Sequence, residues 1–412
     1  MKAFQDATAM VAALRAKQVS PSELVEASIA QIKRLNPQIN ALVSQQFEQA
    51  LREAKERLFS DQPFAGVPLL LKDLGQKEAG VPSTFGSTLF RDHKAALSDT
   101  YVQRLKALGF IIMGRTNTPE FGLKNISDAR LHGPVNLPDD LSRNAGGSSG
   151  GAAAAVSSGM VPLAAASDGG GSIRIPASFN GLIGLKPSRG RIPVGPVDFR
   201  HWQGAAVQFA LTKTVRDTKR LLYYLQDYQL ESPFPLAKLT HSALEVKEPP
   251  SLSIALIVKS PIASPVSQEA ICAVEKTAKI LEQLGHRVEF IDQVPIDGIE
   301  AMKSYYIMNS VETATMFKGI EAQLGRSLTA EDMEPMTWAL FRAGLKLPAY
   351  LYSKTLSQWD SYTYQMHRFH QKYDLLLSPT TADVAPKQGQ LALPLRLQES
   401  LIAMDQFEQW EQ

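Results

Sequence analysis

Cysteine is almost missing from this chain: 412 residues carry one, Cys272. A single thiol cannot close an internal disulfide or build a thiolate metal cluster, which suits a reducing compartment. Its neighbours in "EAICAVEKTAKILEQLG" recur at helical spacing, so Cys272 reads as a packed core thiol. An excess of charge of one sign is missing as well. Lys plus Arg number 43 against 41 Asp plus Glu, and a net charge of +2 gives no electrostatic reason to hold nucleic acid or an anionic lipid surface. Histidine is sparse. His367 and His370 in "HRFH" have no Asp, Glu or Cys ligand pattern beside them, so they read as a solvated helix face and no metal is expected.

Long hydrophobic runs are also lacking. The opening "MKAFQDATAMVAALRAKQ" sets Asp6 and Arg15 around an apolar stretch too short for a secretory signal. The uncharged run from Asn144 to Ser167 has the length of a membrane span, yet it is rich in Gly and Ser and interrupted by Pro162. A cytoplasmic protein with no membrane partner is expected.

What is present is enough apolar material, 44% of residues, for a sizeable core. The length exceeds what one simple core usually fills, so one large domain or two intermediate ones are expected. "VSPSELVEASIAQIKRL" opens with Ser20 as N-cap, Pro21 at the first helical position and Glu23 completing a capping box. "GVPLLL" and "GFIIMG" read as strands separated by the helical "LSDTYVQRLKALG". The alternation returns in "LSIALIV", "SQEAICAVEKTAKILEQLG", "HRVEFI" and "YDLLLSP". An α/β sandwich around a mainly parallel sheet follows. No repeat or clear linker interrupts residues 1–412, which read as a single domain with a subdomain edge near 230–250, where Pro233, Pro235, Pro249 and Pro250 fall.

The run "GGSSGG", residues 146 to 151, invites several chemistries. A P-loop needs Lys and Ser or Thr after its second glycine, and Ala152 and Ala153 stand there. The dinucleotide pattern G-x-G-x-x-G fails here and again at Gly169 to Gly171, where Arg174 takes the third glycine's place, so no nicotinamide cofactor is expected. G-x-S-x-G is matched around Ser148, but a nucleophile elbow follows a buried strand, and "LPDDLSRNA" is not one. Alone, the run reads as a loop. Lys72, closing "GVPLLLK", reads alone as an exposed strand-end charge.

Together, Lys72 in "GVPLLLKD", Ser148 in "GGSSGG" and Ser172 in "SDGGGSIRIPA" resemble the amidase signature family of serine hydrolases. The likeness extends through "GRTNTPEFGL", "HGPVNLPDDLSRNAGGSSGG" and "GLIGLKPSRGRIPVG", is close over residues 1 to 225, and loosens through "ALIVKS" and "YDLLLSPTT". It implies an α/β/α sandwich around a large mixed, mainly parallel sheet, and an amidase that cleaves a carbon–nitrogen bond through an acyl-enzyme. Ser172 would be the nucleophile, Ser148 the bridging serine after a cis peptide bond, and Lys72 the base. The amides of Gly169, Gly170, Gly171 and Ser172 would form the oxyanion hole. A lysine base must be neutral, so its site should lower its pKa by burial or nearby positive charge. Ser167 stands where many members have threonine. Asp168 and Arg174 would brace the loop, with substrate contact by Arg174 as the other reading.

The resemblance implies no cofactor and a small-molecule amide as partner, with a homodimer left open. Linear or cyclic aliphatic amides, as for the 6-aminohexanoate cyclic-dimer hydrolases, fit "GRTNTPEFGL" and "LLKDLG" best. An A subunit of a glutamyl-tRNA amidotransferase is the alternative within the family, opposed by Ile175 where a glutamine is usual. Members continue past the equivalent of "SPTTADVAPKQG" with a further segment, whereas this chain stops at "FEQWEQ". An inactive, binding-only member is therefore a third reading. His132 in "LHGPVN" reads as a structural loop histidine, with a place in the pocket lining as the other reading, and Trp338 and Phe341 in "MTWALFRAG" read as core, with an acyl-binding wall as the other reading.

Overall fold

In the computed structural model, residues 4–245 and 250–406 are described. They form two compact units: 4–245 with 385–391, and 250–384 with 392–406.

In the first unit, the strands β1 (Leu42–Gln45), β2 (Pro68–Lys72) and β3 (Ile111–Thr116) precede two short hairpins. These hairpins pair β4 (Asp128–Ala129) with β5 (Gly133–Pro134), and β6 (Asn136–Leu137) with β7 (Asp140–Asn144). The strands β8 (Leu163–Asp168), β9 (Ile183–Gly184) and β10 (Val207–Thr212) follow. The main sheet has the order β1-β3-β2-β8-β10-β9. Its centre, β3-β2-β8, is parallel, and the outer pairings are antiparallel. β2 is buried along its whole length, as a strand covered on both faces should be, and its sequence is correspondingly a continuous apolar run ending in Lys72.

Helices α1 (Ala7–Arg15), α2 (Pro21–Ile39), α3 (Phe47–Glu56), α4 (Thr100–Ala107), α5 (Gly150–Ser157), α6 (Arg174–Phe179), α7 (Val215–Leu225) and α8 (His241–Leu244) complete this unit. The capping box on α2 is formed as the sequence implied, with Ser20 and Glu23 exchanging bonds. α4 connects β2 to the parallel β3. α5, built of small residues, is buried from Gly150 through Val156, and Leu69, Leu71, Ile111, Met113, Ala153 and Leu163 share one core with it.

The second unit contains β11 (Ser253–Leu256), β12 (Arg287–Phe290) and β13 (Leu375–Leu377), all parallel in the order β12-β11-β13. Its helices are α9 (Gln268–Gln283), α10 (Gly298–Leu324), α11 (Pro335–Lys346), α12 (Ala349–Phe369) and α13 (Leu395–Ile402). The strand–helix–strand alternations legible in the sequence are both present, and the fold class is α/β. Cys272 departs from expectation: it is exposed on α9, and its Sγ accepts a bond from Gln268 Nε2 at 3.2 Å. No helix among the described residues is long and apolar enough to cross a membrane.

Candidate active site

β2 delivers Lys72 into the interior. The side chain is fully buried, not the exposed strand-end charge that position alone suggests. Its Nζ lies 2.7 Å from Ser148 Oγ and 3.0 Å from Ser167 Oγ, the latter on β8. Among the described residues no carboxylate forms an ion pair with it. Burial lowers the Lys72 pKa to about 7, against the opposing attraction of Asp168. Near neutral pH a large share of this amine is therefore unprotonated, with a lone pair able to accept a proton.

Ser148 sits in a turn that only glycine permits. A Cβ on Gly147 would lie 2.6 Å from the backbone of Ile126, and one on Gly151 would lie 2.5 Å from Ala41 O and Asn117 N. The Gly147–Ser148 peptide is cis. Asn144 Oδ1 accepts from the amides of Ser127 (3.2 Å) and Gly146 (2.9 Å), which fixes the entry to the turn. Ser149 closes its exit, donating through Oγ to Ser167 O at 3.2 Å and accepting from Ser167 N at 3.4 Å. The strand before this turn, β7, is exposed over most of its length and lies outside the main sheet, pairing with β6 and bridging to Lys387, so the G-x-S-x-G match is not an elbow on a buried strand.

Ser172 follows β8 on the loop 169–172 and is nearly buried. Asp168, at the end of β8, organises that loop. Its carboxylate accepts from the amides of Gly171 (2.8 Å), Ile173 (3.1 Å) and Arg174 (3.3 Å), and from Arg174 Nε (2.9 Å) and Nη2 (2.8 Å). Burial disfavours its charge, but the two-pronged bond from Arg174 and the converging amides hold its carboxyl below the usual carboxylate range. Arg174 thus braces the loop. The Gly171 amide is committed to Asp168, whereas those of Gly169, Gly170 and Ser172 have no acceptor among the described residues.

His132 lies with Nε2 2.9 Å from Thr84 Oγ1, and Thr84 in turn bonds Asp73 through its amide (3.0 Å) and hydroxyl. Burial and the charge of Arg91 push the His132 pKa down to about 4, so it is a neutral loop residue. His367 is exposed on α12, and His370 is exposed at that helix's C-cap, with Nδ1 3.0 Å from Tyr373 O. Trp338 and Phe341 are buried on α11, with ring centroids 5.9 Å apart. No group of three or more His, Cys, Asp or Glu among the described residues is arranged to hold a metal ion. Sequence reasoning overlooked Gln76, a fully buried amide beside Lys72. An uncharged residue four positions beyond a strand's last residue gives no pattern by which to find it.

The family model described as Amidase matches residues 23–410. The chain belongs to the amidase family. It is 39% identical over 411 residues to a lipoamidase of Enterococcus faecalis, covering 98% of this chain and 54% of that protein. It is 33% identical over 398 residues to a 6-aminohexanoate-cyclic-dimer hydrolase of Paenarthrobacter ureafaciens, covering 95% of this chain and 80% of that one. This chain therefore spans about half the length of the lipoamidase. Among solved structures, a 6-aminohexanoate cyclic dimer hydrolase complexed with substrate superposes with a TM-score of 0.90 at 32% identity, covering 96% of this chain and 83% of the other. A bacterial aryl acylamidase of the amidase signature family gives 0.85 at 30%, covering 93% and 81%.

Proposed function

We propose that this chain hydrolyses the carbon–nitrogen bond of a small-molecule amide through an acyl-enzyme on Ser172. The observation that carries the reading is the fully buried Lys72 amine, 2.7 Å from Ser148 Oγ, with a pKa brought down to about 7. Ser172 Oγ attacks the amide carbonyl, and its proton passes to Ser148 Oγ as the Ser148 proton passes to Lys72 Nζ. The tetrahedral oxyanion is held by the amides of Gly169, Gly170 and Ser172, with the Gly171 amide bracing the turn through Asp168. Returning the lysine proton through Ser148 to the departing nitrogen releases the amine. Water then takes the same route in reverse to hydrolyse the ester, giving the free acid.

The relatives named for cyclic-dimer, lipoyl and aryl acyl amides support an amide substrate, linear or cyclic. No feature favours the tRNA amidotransferase or the binding-only reading. A fluorophosphonate, which phosphonylates an activated serine, tests the proposal without knowledge of the substrate. Mass spectrometry should place one adduct on Ser172, and an adduct confined to Ser148 would reverse the assignment of the two serines.

A further inference from the structure

We propose that Gln76 is a positioning residue that holds Lys72 in its working geometry by inserting its side-chain amide between two strands. This inference rests on the amidase reading above. β2 and β8 pair directly only at Leu70 and Ala164. Two residues further along each strand stand Lys72 and Ala166, at the level where the slanted bonds of the parallel ladder would continue. Instead, Gln76 Oε1 accepts from the Lys72 amide at 2.6 Å, and Gln76 Nε2 donates to Ala166 O at 3.2 Å. The amide group replaces the missing rung and keeps the strands apart at the level where Lys72 Nζ reaches Ser167 Oγ, one residue beyond Ala166.

The same group ties in a third strand. Gln76 Nε2 donates to Gln208 Oε1 at 2.9 Å, and Gln208 Nε2 donates to Gly75 O at 2.8 Å. Gln208 lies on β10 directly opposite Ser167 in the register. On the other flank, Arg115 Nη1 donates to Lys72 O (3.2 Å) and Gln76 O (2.8 Å). Both main-chain polar groups of Lys72 are thereby held by side chains and not by strand partners. Gln76 is fully buried with its acceptor and both donor directions in use, the condition under which a buried polar network fixes one arrangement instead of costing stability. No member of the Gln76–Gln208 pair carries a charge, so the pair positions the lysine without raising its pKa as a carboxylate would.

The test uses the full chain and the fluorophosphonate probe, reading the maximal inactivation rate, the probe's half-saturating concentration, the pH midpoint of the reaction and the melting temperature. Gln76→Met keeps the volume and removes every bond of the amide. The maximal rate is expected to fall by about 10²-fold, as for a displaced reacting group, with half-saturation little changed. The pH midpoint is expected to move to alkaline values, because a loosened strand end lets water reach Lys72. Gln208→Leu, which leaves the bonds of Gln76 to Lys72 and Ala166 intact, should shift both readouts in the same direction by less.

A Gln76→Met protein that melts lower but reacts at the wild-type rate with the wild-type midpoint overturns the inference and leaves the amidase reading standing. If Gln76→Met does not fold, wild-type rate and midpoint in Gln208→Leu overturn it equally. If the unsubstituted chain forms no adduct on Ser172, the amidase reading falls and the inference falls with it.

Discussion

Lys72 and Asp168 close neighbouring strands of one sheet, and both side chains are buried, yet their surroundings drive one to keep its charge and the other to lose it. Asp168 meets a guanidinium and a fan of amides and stays ionised. Lys72 meets two hydroxyls and no bonded carboxylate, so desolvation prevails and its pKa falls to about 7. Burial alone therefore does not make a base. The partners decide: the paired carboxylate holds the loop of Ser172, and the amine with no bonded carboxylate is left neutral and free to take a proton.

Breaking either end of this contrast should have distinct consequences. The largest effect is expected from Ser172→Ala, which removes the atom proposed to form the covalent bond. Intact-mass measurement should find no fluorophosphonate adduct on a folded protein. Next is Lys72→Ala, expected to slow labelling by about 10² to 10⁴, the usual worth of a general base. Adding Ser148→Ala to Lys72→Ala should slow it little further, since members of one relay are not additive. A double variant slowed, relative to the unsubstituted chain, by the product of the two single effects would mean that the two side chains act separately.

Asp168→Asn sharpens the comparison from its paired end. Loss of the bond set from Arg174 should slow labelling by roughly 10-fold or more through a loosened nucleophile loop. Asp168 also raises the Lys72 pKa, so its neutralisation should carry the pH midpoint to acid values, opposite to the shift expected for Gln76→Met.

The smallest expected effect is on stability. Folding lowers the Lys72 pKa from its ordinary 10.5 to about 7. The unfolded chain therefore holds one more proton between those values, and stability rises with pH across that window. Below about pH 7 the full penalty applies, and above 10.5 none does. Lys72→Met should accordingly melt higher than the unsubstituted chain at pH 6, with the gain shrinking as pH rises towards 10. Calorimetry across that range checks the slope.

Much of the first unit was legible because its signals are local. The Ser20–Glu23 box and the runs "PLLL" and "FIIM" name their structure within a few residues. Gly147 and Gly151 could be marked as special, but the reason, the close approach of Ile126 and Asn117, lies outside any local pattern. Cys272 was misplaced for a geometric reason. The buried residues of α9 are Val274 and Ala278, one turn apart, and a residue two positions before Val274 points to nearly the opposite side. The antiparallel flanks of the main sheet, such as the two-residue β9, are too short for any periodicity to register. The Gln76 bridge was invisible because its partners are 90 and 132 residues away in sequence.

The central claim is that Lys72, and no histidine, supplies the base from its neutral form. The pH dependence of fluorophosphonate labelling, measured on the unsubstituted chain and on Lys72→Met, tests it most directly. The unsubstituted chain should show a rate that rises with pH through a single midpoint near 7, and Lys72→Met should lose both the rate and the midpoint. A midpoint above pH 10, or a rise near 7 that persists unchanged in Lys72→Met, would contradict the account.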